Sequence, residues 1–223
     1  IGGIVGAVIA KAGTSKLIGA GITKTVAFIF VSPFLGFLLG SLMMVGVAWV
    51  CRRATPSRVD RWFRRLQLVS AGAYSLGHGG NDAQKTMGII TVLLFANGYP
   101  QGDFHVPFWV VISCQLAMGL GTLMGGWRIV RTMGMGITKV RPTGAFCAQT
   151  SGSIALFLAT WLGIPVSTTH TITGAIVGVG VSRRASAVRW GLASRIVWAW
   201  ILTIPCAGLI AALSYHFGRT FLF

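Results

Sequence analysis

The side chains best able to do chemistry lie in one stretch, Ser75-Leu-Gly-His-Gly-Gly-Asn-Asp-Ala-Gln-Lys-Thr-Met-Gly88. It sits inside an apolar segment running from about residue 66 to residue 96. A carboxylate at mid-membrane depth costs about 2.5–3.5 kcal/mol even on the translocon insertion scale. The chain has three acidic residues, and Asp82 is the one surrounded by apolar sequence. Glycine-broken helices with a polar cluster at the break are a membrane protein's means of holding something small and charged. The pattern predicts that Gly77, Gly79 and Gly80 unwind the chain, so that backbone groups and Asn81 face a ligand. Asp82 then carries the coupling charge, as a proton or cation site, and Lys85 either balances it or meets an anion. A plainer reading stays open, in which Asp82 and Lys85 at i, i+3 simply neutralise each other on a helix.

A second constellation is Pro165-Val-Ser-Thr-Thr-His170. Pro165 stops the preceding helix, and Ser167 suits the N-cap of the next. Three consecutive hydroxyls, Ser167, Thr168 and Thr169, beside the N–H groups of a helix start make an anion site that needs no fixed cation. An ordinary capped helix fits the same residues. His78 and His170 adjoin the two motifs, and each reads either as a proton relay or as a hydrogen-bonded packing residue.

These motifs need elements that hold them at depth. Of the 223 residues 54% are apolar and 10% charged, against about 25% charged in a soluble domain. Several runs reach the ~20 residues that cross a bilayer. The expected fold is therefore all-α and polytopic, with lipid as a partner. The net charge of +16 falls in short loops between apolar spans. That is the positive-inside pattern and not a nucleic-acid face. Basic segments at 51–65, 128–141 and 183–195 hold 14 of the 19 Lys and Arg residues. Placing all three in the cytoplasm puts the 96–105 loop, the 163–165 bend and the C-terminus on the opposite side. A re-entrant hairpin at 163–170 satisfies the charges equally well.

Sliding the chain on itself gives an ungapped echo at offset 172. Gly2, Gly6, Pro33 and Gly36 fall on Gly174, Gly178, Pro205 and Gly208. The charge-derived directions of 26–50 and 190–213 are opposite, so the copies are inverted, as in secondary transporters. Residues 1–50 are then expected to be the tail of a first inverted repeat, and 51–223 the second, with site motifs at 77–88 and 165–170. The abrupt start in Ile-Gly-Gly predicts a piece of a longer protein, with a second Gly-Asn-Asp motif upstream. The four cysteines are solitary and read as small hydrophobes. No nucleophile–base pair, metal-ligand set or cofactor loop is present, so no enzyme, metal or cofactor is expected.

Gly77-His-Gly-Gly-Asn-Asp-Ala-Gln-Lys-Thr-Met-Gly88 and Pro165-Val-Ser-Thr-Thr-His170 resemble signatures of the inorganic phosphate transporter (PiT) family, most closely its bacterial low-affinity branch. The similarity runs along the whole chain and corresponds to the C-terminal portion of a member. It implies phosphate symport through two inverted halves, with Asn81, Asp82, Ser167, Thr168 and Thr169 lining one half-site. Many members read Asn-Asp-x-x-Asn, and sodium drives several. Lys85 stands at that last position, which favours a proton over sodium as coupling ion. Bacterial relatives are thought to carry neutral metal–phosphate complexes. The implied location is a bacterial inner membrane, multi-pass, with a homo-oligomer admitted. Sulfate or another tetrahedral oxyanion is the alternative cargo, and a non-transporting membrane scaffold the alternative class.

Overall fold

A computed structural model describes residues 2–99 and 103–221, with the side chain of Arg128 excepted. The loop expected at 96–105 therefore lies partly outside the described residues. Seven α-helices account for most of the rest: α1 (Gly2–Ala12), α2 (Gly19–Val50), α3 (Pro56–Ala96), α4 (Phe108–Arg131), α5 (Pro142–Trp161), α6 (Thr168–Arg183) and α7 (Trp190–Phe221). No strand occurs among the described residues. Among the described residues, three segments are long and apolar enough to cross a bilayer: Gly19–Arg53, Phe108–Trp127 and Trp190–Phe221. Their surfaces are unlike those of a soluble bundle. Phe30, Phe34 and Leu42 on α2, Leu123 and Met124 on α4, and Leu209 and Ile210 on α7 all lie exposed. Trp49, Trp62, Trp109, Trp127 and Trp190 are exposed near helix ends, where amphipathic rings settle at a membrane interface.

The chain divides into two compact units, 1–24 with 189–223, and 25–188. In the first, α1 lies against α7 through glycines. A Cβ on Gly6 would collide with the Gly208 backbone, and one on Gly2 would stand 2.5 Å from the Ile204 carbonyl oxygen. In the second, α6 lies against α2 in the same manner. Gly174 and Gly178 admit the Pro33 and Phe37 carbonyls, and Gly36 and Gly40 admit those of Thr171 and Ala175. Lipid tails are as apolar as side chains, so close backbone approach is what drives such helices together. The Gly36-x-x-x-Gly40 spacing thus meets a partner helix. Gly121 and Gly125 face open space within this chain.

Helix α3 packs along α5, and α5 turns back into α6. The glycine break expected at Gly77, Gly79 and Gly80 is absent. α3 is one helix from Pro56 to Ala96, and none of these glycines has positive φ. The reason is a matter of magnitude. Three helical glycines cost about 1 kcal/mol each relative to alanine. Unwinding there would strip several backbone groups of partners, each costing several kcal/mol in an apolar medium. Continuing the helix wins, because no proline forces the issue. At 162–167 a proline does. Gly163 takes φ 61, and Ile164 N–H bonds to the Ala159 carbonyl (2.9 Å) while Gly163 N–H bonds to that of Thr160 (3.1 Å). This pair of bonds is a Schellman C-cap, and Pro165 then prevents the helix from resuming.

An intact α3 has a measurable corollary. A Cβ on Gly80 would meet nothing within 4 Å. Gly80→Ala is therefore expected to leave the fold intact and raise stability by about 0.5–1 kcal/mol. A lowered melting temperature for the purified variant would contradict a helical Gly80.

Candidate functional site

On α3, Asp82 lies 17 residues beyond Arg65 and 14 before Ala96, about 25 Å and 21 Å along the axis. It is thus near the middle of the apolar stretch. α6 contains 16 residues, about 24 Å, less than the ~30 Å hydrocarbon thickness. Its first turn, at the end opposite Arg183, is the part that faces α3. The bend between α5 and α6 meets α3 there.

The contact is polar and specific. Thr168 Oγ1 donates to Asp82 Oδ2 at 2.9 Å. Lys85 Nζ donates to Asp82 Oδ1 at 2.9 Å and to the Val166 carbonyl at 2.7 Å. His78 Nδ1 stands 3.6 Å from Asp82 Oδ2. One carboxylate therefore gathers an ammonium, a hydroxyl and an imidazole. Ser167 occupies the N-cap of α6, accepting from His170 N–H at 3.4 Å, and aims the positive end of that helix at the cluster. The Asp82 side chain is 25% exposed and that of Lys85 42%, so the pair is reachable from one side.

Asn81 is 5% exposed and donates through Nδ2 to Thr160 Oγ1 at 3.4 Å. Its Oδ1 is buried without a protein partner among the described residues. Thr169 follows Thr168 on α6, and its carbonyl accepts from Thr173 Oγ1 at 2.7 Å. The His170 ring is buried and engages the Ile29 backbone of α2, while its main chain closes the cap. The two motifs, 86 residues apart at the Asp82–Thr168 bond, are thus brought together, with His170 turned toward α2. The glycines contribute differently from the expectation. A Cβ on Gly77 would make ordinary contact with Leu156 at 3.5 Å and one on Gly79 with Gln115 at 3.9 Å, while one on Gly80 would meet nothing within 4 Å.

Tyr74 escaped the motif reading. Tyr74 donates through its hydroxyl to the Thr168 carbonyl at 3.3 Å and stacks on His78, with centroids 5.9 Å apart. Ser70 donates to Gln149 Oε1 at 2.8 Å. The signal was present: Ser70, Tyr74, His78 and Asp82 recur every four residues, one face of a helix. That spacing places the four on one face only if α3 is continuous through Gly77, as it is. Thr160 and the Val166 carbonyl carried no sequence signal.

The site thus joins a carboxylate, an ammonium and a hydroxyl on α3 and α6, in a chain whose long apolar helices are those of a membrane protein. The chain belongs to the phosphate transporter family, whose sequence profile matches residues 1–211. It is 63% identical over 215 residues to a probable low-affinity inorganic phosphate transporter of Rhizobium meliloti (strain 1021), covering 96% of this chain and 64% of that protein. To the protein of the same description in Bacillus subtilis (strain 168) it is 40% identical, covering 96% and 65%. The chain thus spans just under two thirds of these relatives. A solved structure described as the sodium-dependent phosphate transporter matches with a TM-score of 0.67, covering 99% of this chain and 64% of that one. At 23% identity that likeness is one of fold.

Proposed function

We propose that this chain forms part of a proton-coupled symporter of inorganic phosphate in a bacterial inner membrane. The observation that carries the reading is the junction of Asp82 with Thr168 at 2.9 Å. It brings a titratable carboxylate and the start of a helix to one point at mid-depth. A phosphate arriving there meets a helix dipole, hydroxyls and Lys85 in place of its hydration. Substrate-facing roles fall to Asn81, Lys85, Ser167, Thr168 and Thr169, and the ion-coupling role to Asp82. His78, beside the carboxylate, would pass the proton, with Tyr74 fixing its ring. His170 would act through the cap. The names of the relatives support phosphate as cargo, carried as the free ion or as a neutral metal–phosphate complex.

Residues 1–50 and 51–223 are read as parts of two inverted repeats. Support comes from the seams within the two units. Gly2 and Gly6 of α1 receive α7, while Gly174 and Gly178, their equivalents at offset 172, receive α2. The same contact is made twice by equivalent positions. Transport would follow from one repeat rocking against the other around the site. A homo-oligomer is compatible with this arrangement.

Uptake of labelled phosphate by the full-length protein, in cells lacking their own phosphate uptake, tests the cargo. Uptake is expected to collapse with the proton gradient and to resist an excess of sulfate of about tenfold. Competition by sulfate would replace phosphate with another tetrahedral oxyanion. Intact function after apolar replacement of both Asp82 and Lys85 would favour a scaffold, since buried ion pairs are often dispensable for stability.

A further inference from the structure

An ion pair between Asp82 and Lys85 alone would need nothing beyond α3. The second bond of Lys85 is what sets it apart. Its Nζ reaches across to the Val166 carbonyl at 2.7 Å, 81 residues along the chain. Val166 lies in the extended run 164–167, so its carbonyl belongs to neither α5 nor α6. Thr168 Oγ1, two residues on, holds the other oxygen of the same carboxylate. The ammonium therefore sits against a carboxylate oxygen and a backbone carbonyl at a helix interruption, with a hydroxyl alongside. Hard oxygen donors of these kinds are what a small metal cation takes in exchange for water, and unwound carbonyls are a common source of them in membranes. An ammonium is a compact point charge suited to the same position. Its stem is anchored three residues from Asp82, so it cannot diffuse away.

We propose that Lys85 is a tethered cation that fills an alkali-ion position between Asp82 and the Val166 carbonyl, making it the residue that sets which ions this half-site uses. With the ammonium in place the α3–bend junction is neutral and joined without a dissolved cation. Only a mobile proton or the cargo remains to vary the charge. Without it, the same oxygens form a cage with one negative charge that a sodium ion can occupy. The inference rests on the transport reading where uptake is measured, and stands apart from it where cation binding is measured.

The experiment uses the full-length protein, wild type beside Lys85→Ala, which opens the cage, and Lys85→Met, which fills it without charge. Melting temperature is recorded in sodium chloride and in N-methylglucamine chloride at equal ionic strength. The wild type and Lys85→Met are expected to be indifferent to sodium. Lys85→Ala is expected to gain about 3 °C in sodium, saturably. Phosphate uptake by Lys85→Ala is expected to fall about tenfold without sodium and to recover in its presence. Sodium responses in Lys85→Ala no larger than in the wild type would overturn the proposal. So would wild-type uptake by Lys85→Met in sodium-free buffer, which also covers failure of the alanine variant to fold. Sodium stabilisation of Lys85→Ala with no phosphate uptake by any form would leave the tethered cation standing and remove phosphate as cargo.

Discussion

Asp82→Asn is expected to cut phosphate uptake about 100-fold and to flatten what pH dependence remains. The carboxylate receives two charge-assisted hydrogen bonds, from Lys85 and from Thr168, both at 2.9 Å. Such bonds contribute about 1.5–3 kcal/mol each. Partial exposure of Asp82 and Lys85 argues for the lower end, about 3 kcal/mol together, which is the quoted factor. Asparagine keeps the shape and an acceptor oxygen but loses the negative charge that strengthens the bonds from Lys85 and Thr168. Asp82→Glu should retain a pH-dependent remnant, because the titrating group survives. Unaltered uptake with an unaltered pH profile in Asp82→Asn would remove this carboxylate from the mechanism.

Gly174→Ala is expected to destabilise the protein by about 3 kcal/mol, enough to lose most folded material on purification. A methyl there would run into the Pro33 main chain, and a backbone inside a helix cannot yield as a side-chain tip can. Overpacking a tight site costs about 1–3 kcal/mol, occasionally more. The upper end applies because α2 and α6 meet over Gly36, Gly40, Gly174 and Gly178 together. The identical change at Gly46 should have the opposite sign. A Cβ there meets nothing within 4 Å, so Gly46→Ala should gain about 0.5–1 kcal/mol from helix propensity. Thermal unfolding of the two purified variants compares them directly. Equal melting temperatures would show that the α2–α6 seam is not close-packed.

The two glycine types explain how far the sequence could be read. The apolar helices follow from hydropathy, and the pairing of the two motifs from the family signatures they resemble. These are local or additive properties, and Asp82 and Thr168 do meet. Whether a glycine breaks a helix or seats a neighbour is not local. Gly77, Gly79 and Gly80 form the denser cluster in sequence, yet the chain breaks at Gly163, where Pro165 follows. Proline removes a donor outright, whereas glycine only lowers a preference that hydrogen bonding in an apolar medium outweighs. Tyr74 was hidden for a related reason. Its place beside His78 and Asp82 emerges only once α3 is known to be continuous. The Val166 carbonyl has no side-chain signature at all, since any residue supplies one, and its use depends on the bend being held against Lys85.

An uninterrupted α3 also constrains movement. Its 41 residues, about 61 Å of helix, offer no joint beside the carboxylate. Any displacement of Asp82 must be shared by the Arg-bearing turns near Arg61 and by the far end near Asn97, swinging like the two arms of a balance. Distance probes attached at those ends would then shift in concert when the cargo binds, while the spacing between them stays fixed.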